Sequence, residues 1–284
     1  MDERLEQVRV DGLDFRVRVR GEGPPILLLH GFPDSGEMWR LQAPALAAAG
    51  FRVFVPDLRG CGQTDAPPQP ARYRLERLVD DVFALADACA GEGAVIDLVG
   101  HDWGAAIGWF ACAARPERIR RFAALSVGHP EAYRRAGLEQ KLKGWYLVLF
   151  ITPGLAEAFL RAGDFRALTR HAPTTEDAAR WRRDLARPGR LTAGLNWYRG
   201  AARSPWRRVE PIEVPTLGLF GTRDPALAED QMVNSKRWVD AEWAYERLDG
   251  VGHWLSIEAA GRVNARLIDW FSAPSPDADR GTAR

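Results

Sequence analysis

Five continuous apolar runs, "PPILLLH", "FRVFVPD", "AVIDLVG", "RFAALSV" and "TLGLFG", constrain this chain more than any other feature. Each is apolar at successive positions rather than at alternate ones, which is the pattern of a strand buried on both faces. Helical stretches lie between most of them, roughly over 36–49, 75–90, 103–115 and 226–239. Strands alternating with helices predict a mostly parallel sheet covered on both sides. Ahead of these runs, "LEQVRV" and "LDFRVRVR" alternate apolar and polar residues about Asp11-Gly12, and read as an antiparallel hairpin. A last strand, "WAYERLD", and a last helix over 257–271 close the pattern. The expected architecture is an α/β fold with an eight-stranded, mostly parallel sheet and helices on both faces.

The alternation stops between about residues 131 and 209. That segment has no clear buried strand, is rich in Trp, Leu, Tyr and Arg, and divides at Pro153-Gly154, Pro173 and Pro188-Gly189. It reads as a helical insertion over the sheet. Ligands of open parallel sheets bind at the carboxyl ends of the strands, so an insertion rooted after "RFAALSV" would roof that site. The expected division is a core of 1–130 and 210–273, a helical cap of 131–209, and a disordered, Pro-rich tail of 274–284.

The 284 residues carry 39 basic and 38 acidic side chains, a net charge of +1. That balance gives no reason to expect a nucleic-acid or membrane-surface partner. The opening "MDERLEQVRV" lacks the apolar core of a secretory signal, and no apolar run reaches membrane-spanning length. Cys61, Cys89 and Cys112 have no metal-type spacing and read as reduced thiols of a cytoplasmic protein. No metal and no cofactor is expected.

Chemistry concentrates at the carboxyl ends of the predicted strands. After "AVIDLVG" comes Gly100-His101-Asp102-Trp103-Gly104, an instance of G-x-nucleophile-x-G with an acid at its centre. The glycines permit a cramped strand-to-helix turn that lifts the middle side chain clear of the sheet. Asp224 follows "TLGLFG" and His253 follows the last strand, so nucleophile, acid and histidine stand in the order of the α/β-hydrolase fold. An ordinary Asp, with a pKa of about 4, is ionised without a base, and its attack on an alkyl carbon yields an enzyme-bound ester. Hydrolysis of that ester calls for an activated water. His253 would serve as general base, with Asp224 fixing its tautomer and offsetting its charge. Backbone N–H groups of Phe32 and Trp103 would face the oxyanion.

"HGFPDS", "DLRGCGQTDAPP", "GHDWG" and "GHW" together resemble the epoxide hydrolase branch of the α/β-hydrolase superfamily, over about residues 9–271. The insertion segments "GWYLVLFITPGLAEAFL" and "LNWYR" are similar to those where that family places two tyrosines, here Tyr146 and Tyr198. The resemblance implies that their hydroxyls bind the epoxide oxygen and protonate it as the ring opens. It implies a cofactor-independent enzyme that acts on a small epoxide and water to give a vicinal diol. Apolar insertion residues such as Leu147, Leu149, Phe150 and Leu155 suggest a hydrophobic substrate. Phe32, Trp103, His129 near the insertion's hinge, and Leu149 are the expected substrate contacts.

The same Asp would serve a haloalkane dehalogenase, which must bind the departing halide with N–H donors. The usual Asn at the place of Phe32 is missing, so Trp145 or Trp197 would have to substitute. A non-catalytic ligand receptor on this fold is the other alternative, although a pure binder has no use for a water-activating histidine opposite an acid. His30 and His101 read as buried hydrogen-bonding residues, His171 as solvent-facing, and Asp97 as a partner for local donors. Nothing in the sequence bears on oligomeric state.

Overall fold

In the computed structural model, which describes residues 3–204 and 208–274, eight strands form one sheet. They are β1 (Arg4–Val10), β2 (Leu13–Arg20), β3 (Pro25–Leu29), β4 (Arg52–Pro56), β5 (Ile96–His101), β6 (Ile119–Leu125), β7 (Thr216–Gly221) and β8 (Trp243–Leu248). Their spatial order is β1-β2-β4-β3-β5-β6-β7-β8. The β1–β2 and β2–β4 pairs are antiparallel and all the others are parallel. Asp11 and Gly12 both have positive φ, 49° and 75°, as the mirror-image two-residue hairpin turn requires.

The continuous apolar runs are buried on both faces because successive side chains point opposite ways. Leu27 and Leu29 of β3 join one core, with Leu98 of β5 and Phe122 of β6. Ile26 and Leu28 join the other, with Val99 and Ala123. Leu78, Val82 and Leu85 of the helix Leu75–Ala90 and Ile107 of Trp103–Ala114 cover the first face. Leu46 of Gln42–Ala48 and Val263 and Leu267 of Ala260–Ser272 cover the second.

Three expected helices are shorter or broken. The one over 36–49 is a 3₁₀ turn, Gly36–Trp39, followed by Gln42–Ala48. That over 226–239 becomes Glu229–Val233 and a 3₁₀ turn, Asn234–Trp238. Asp224 accepts the N–H groups of Ala226 and Leu227 in its side chain, so the chain turns there before any helix begins. The last is Leu255–Glu258 and Ala260–Ser272, parted at the non-helical Ala259.

Between β6 and β7 the chain forms seven helices, from Pro130–Arg135 to Arg190–Ala201, with no strand among the described residues. Pro153-Gly154, Pro173 and Pro188-Gly189 all fall between helices. A separate apolar cluster holds the inserted helices to the core through Phe32, which packs with Phe150, Leu160, Leu195 and Tyr198. Residues 275–284, most of the tail expected to be disordered, lie outside the described residues.

Candidate active site

Asp102 sits where β5 ends and the helix Trp103–Ala114 begins, with φ 53° and ψ −119°. A non-glycine residue held there stores about 1–3 kcal/mol of backbone strain, sustained by packing that excludes any larger neighbour. A Cβ added to Gly100 would overlap Gly104, one added to Gly104 would overlap the Leu29 carbonyl, and one added to Gly31 would overlap the Asp102 side chain. The glycines on either side of the acid are therefore required by close approach.

The two oxygens of the Asp102 carboxylate have different surroundings. Oδ1 accepts the Phe32 N–H at 3.0 Å, and the Trp103 N–H also supports the carboxylate. Oδ2 lies 3.7 Å from His253 Nε2. On the other side of the ring, His253 Nδ1 meets Asp224 Oδ2 at 2.6 Å, while Asp224 Oδ1 accepts the Ala226 and Leu227 N–H groups at 2.8 and 2.9 Å. Asp224 is thus held at both oxygens, and it holds His253. Burial alone would depress the His253 imidazole, but the charge and hydrogen bond of Asp224, with the charge of Asp102, push it up to about 9. Burial also raises the Asp102 carboxyl, against the pull of His253 and the two N–H groups.

Phe32, Asp102, Tyr146, Leu149, Tyr198 and His253 line one cavity of about 270 Å³ between the strand ends and the inserted helices. The Tyr146 and Tyr198 rings stand edge to face with centroids 6.5 Å apart. Burial, and then the Asp102 charge, hold both phenols well above their ordinary pKa, so both carry their protons at neutral pH. Arg199, next to Tyr198, makes a bidentate pair with Glu157 at 2.7 and 2.8 Å, which ties the helices Leu155–Ala162 and Arg190–Ala201 together. The rest of the wall is largely apolar, with Phe150, Leu160 and Leu168. A carboxylate, a charged imidazole–carboxylate pair and two protonated phenols around a largely apolar space suit displacement at carbon with protonation of the oxygen that leaves.

Two expected substrate contacts lie elsewhere. His129 is fully buried, stacked on Trp238 at 5.5 Å and edge-on to Trp109 at 5.3 Å. Its Nδ1 accepts the Glu131 N–H as the N-cap of the first inserted helix, and burial pushes it down to about 4. It is a neutral packing residue, drawn away from the cavity by two tryptophans. The Trp103 side chain is also outside the cavity wall, packed edge-on between Trp197 and Tyr198 at 6.0 and 5.0 Å; its backbone N–H supports Asp102 and its side chain hydrogen-bonds Tyr198. The Trp197 indole donates to the Arg59 carbonyl at 2.9 Å, so it has no proton left for a halide.

The other histidines and Asp97 have structural settings. His30 bridges the Gly31 carbonyl and the Leu58 N–H, both at 2.9 Å. His101 Nε2 and Ser126 Oγ both donate to the His253 carbonyl, at 2.9 and 3.1 Å, and so position that residue's backbone. Asp97 accepts from Arg120. His171 is exposed, as expected, and stands with Arg170 at the cavity's rim.

The sequence reading missed Lys143, Ser126 and Trp254. Lys143 Nζ donates to the Asp224 and Leu227 carbonyls at 2.9 and 2.8 Å, clamping the inserted helices to the loop that carries the acid. Trp254 packs edge-on to His253 at 4.7 Å. A signal for Lys143 existed, because only three lysines occur in the chain and two of them fall within this segment.

Comparison with known proteins places this geometry in a family. The model of the alpha/beta hydrolase fold matches residues 24–260. The chain is 36% identical to epoxide hydrolase 2 of Siraitia grosvenorii, over 95% of this chain and 99% of that one. It is 32% identical to epoxide hydrolase A of Mycobacterium tuberculosis, over 93% and 96% respectively. The crystal structure of epoxide hydrolase A from Mycobacterium thermoresistibile superposes with a TM-score of 0.82 at 30% identity, covering 95% of this chain and 98% of that one. By its sheet, its match to the fold model and its relatives, this chain belongs to the α/β-hydrolase superfamily and, within it, to the epoxide hydrolase family.

Proposed function

We propose that the cavity converts a hydrophobic epoxide to a vicinal diol in two steps, with the helices between β6 and β7 as a cap over the site. In the first step, Asp102 Oδ2 attacks an epoxide carbon and the carbon–oxygen bond of the ring breaks. The leaving oxygen takes a proton from Tyr146 or Tyr198. An alkoxide is far more basic than a phenolate, so a phenol is a competent acid for it even when burial raises its pKa. The product is an ester on Asp102. Before the second step the His253 imidazolium, no longer faced by the Asp102 charge, passes a proton to the tyrosinate left by the first; neutral His253 Nε2 then takes a proton from water, which adds to the ester carbonyl, whose oxygen, Oδ1, already lies against the Phe32 N–H. Asp224 balances the charge that His253 gains. Collapse of the tetrahedral intermediate breaks the ester carbon–oxygen bond, and the proton of the added hydroxyl passes to the departing oxygen, which releases the diol and restores the Asp102 carboxylate.

The observation that carries this reading is the carboxylate on the strand-end turn, facing two phenols across an apolar cavity. A serine-type hydrolysis has no use for that acid or for those proton donors. No metal or cofactor takes part in the two steps. The three cysteines are free and buried, in keeping with a reducing, cytoplasmic setting.

The test separates the two steps. His253→Gln mixed with an aryl epoxide should accumulate an adduct on the peptide that contains Asp102, raising the intact mass by one epoxide. Multiple turnover without an adduct would remove His253 from the second step. Diol and halide release, measured side by side on epoxide and haloalkane panels, should show diol alone. Halide release would favour the dehalogenase alternative.

A further inference from the structure

Large apolar side chains are unevenly distributed over the surface. Of the eleven that are exposed among the described residues, seven lie between residues 138 and 159: Leu138, Leu142, Trp145, Val148, Ile151, Leu155 and Phe159. They recur every three or four residues, the interval that keeps side chains on one side of a helical path. Leu138, Leu142, Trp145 and Val148 are 71%, 66%, 61% and 69% exposed, as bare as surface lysines usually are. Clusters of this kind on soluble proteins mark contact surfaces. Trp145 and Phe159 also line the cavity, so the patch is continuous with the cavity wall.

The charges of the patch that are left unpaired among the described residues have one sign. Its acids are already paired: Glu139 with Lys143, Glu157 with Arg199, and Asp164 with Arg182. Lys141, Arg161 and Arg166 are exposed and meet no carboxylate within ion-pair distance among the described residues, and Arg170 at the cavity rim contacts only His171. The net charge of +1 for the whole chain conceals this local cationic excess.

We propose that this face docks on an anionic lipid surface and draws hydrophobic epoxides into the cavity directly from the bilayer. A Trp among Leu and Val side chains, flanked by Lys and Arg, matches both layers of such a surface: the apolar groups enter the acyl boundary and the cations meet the headgroup phosphates. A second copy of the chain fits less well. An isologous contact would set the same four cations against themselves and would close both entrances. The helices of the patch, Leu138–Phe150 and Leu155–Ala162, bend by 102° where they meet, which suits a wedge lying on a surface. The delivery role rests on the epoxide reading above, whereas docking itself does not.

Docking is measured by co-sedimentation with vesicles of equal parts phosphatidylglycerol and phosphatidylcholine, without substrate, and with phosphatidylcholine vesicles as the control. The protein should pellet with the anionic vesicles, and high salt should release it. Each neutralised cation near such a surface is worth about fivefold in partitioning, so the triple variant Lys141→Gln/Arg161→Gln/Arg166→Gln should bind about a hundredfold more weakly. Leu142→Glu/Val148→Glu should abolish binding. Both variants should hydrolyse a water-soluble epoxide in vesicle-free buffer at the unaltered rate, which also establishes that they are folded. A protein that stays in the supernatant, or variants that bind as tightly as the parent, would overturn the proposal. So would concentration-dependent dimerisation that Leu142→Glu/Val148→Glu abolishes, which would assign the face to a second copy. Normal docking with no diol from any epoxide would instead fault the enzymatic reading alone.

Discussion

The proposed esterification of Asp102 would remove one of the negative charges, beside those of Asp224 and Glu258, that keep His253 protonated, and Asp102→Asn reproduces that change in the free protein. Asn has the shape of Asp, and its Oδ1 can still accept the Phe32 N–H, so charge is the only large difference. Two unit charges 3.7 Å apart interact by about 4 kcal/mol at an effective dielectric near 20, or about a thousandfold in proton affinity. The open side of the cavity screens part of this, so the expected loss is about a hundredfold to a thousandfold. The His253 midpoint should therefore fall from about 9 into the neutral range. The resting enzyme would then hold a cationic histidine that steadies the Asp102 carboxylate. Alkylation would turn that histidine into a base at the moment when the ester needs one. The assay is an NMR titration of the imidazole side chains, done promptly because slow deamidation would restore Asp. His253 is distinguishable because the environment pushes the other four histidines downward. An unchanged His253 midpoint in Asp102→Asn would refute the coupling and leave Asp224, with Glu258, as the source of the raised value.

Tyr146 and Tyr198 should act on the first step alone. Tyr146→Phe and Tyr198→Phe should each slow alkylation in rapid-quench experiments, and the double variant should lose most of the 10²–10⁴-fold that a general acid typically supplies; equal alkylation by the double variant and the parent would remove the phenols from the reaction. His129→Ala should lower the unfolding free energy from denaturant titration by about 2 kcal/mol, through lost packing between Trp109 and Trp238, and leave KM for the epoxide unaltered; a raised KM with full stability would return His129 to the substrate.

What the sequence determined by itself was whatever depends on near neighbours in the chain. The Asp11-Gly12 hairpin, the strands buried on both faces and the glycine-flanked turn at Asp102 are each set within about ten residues, where periodicity and steric limits act directly, and the order of Asp102, Asp224 and His253 is read along the chain itself. The division of the insertion at its proline–glycine pairs belongs to the same class. Tertiary structure decided what depends on competition among distant partners. His129 had two tryptophans, Trp109 and Trp238, to choose over the cavity, and they lie 20 residues before it and 109 after. The Trp197 indole found the Arg59 carbonyl, and the Trp103 ring turned toward Tyr198 while its N–H stayed at the site. Lys143 reached the Asp224 loop across 81 positions of chain. A side chain's direction is settled by which buried partners satisfy its polar atoms and fill its volume, and those partners come together only when the sheet and the inserted helices have closed around them.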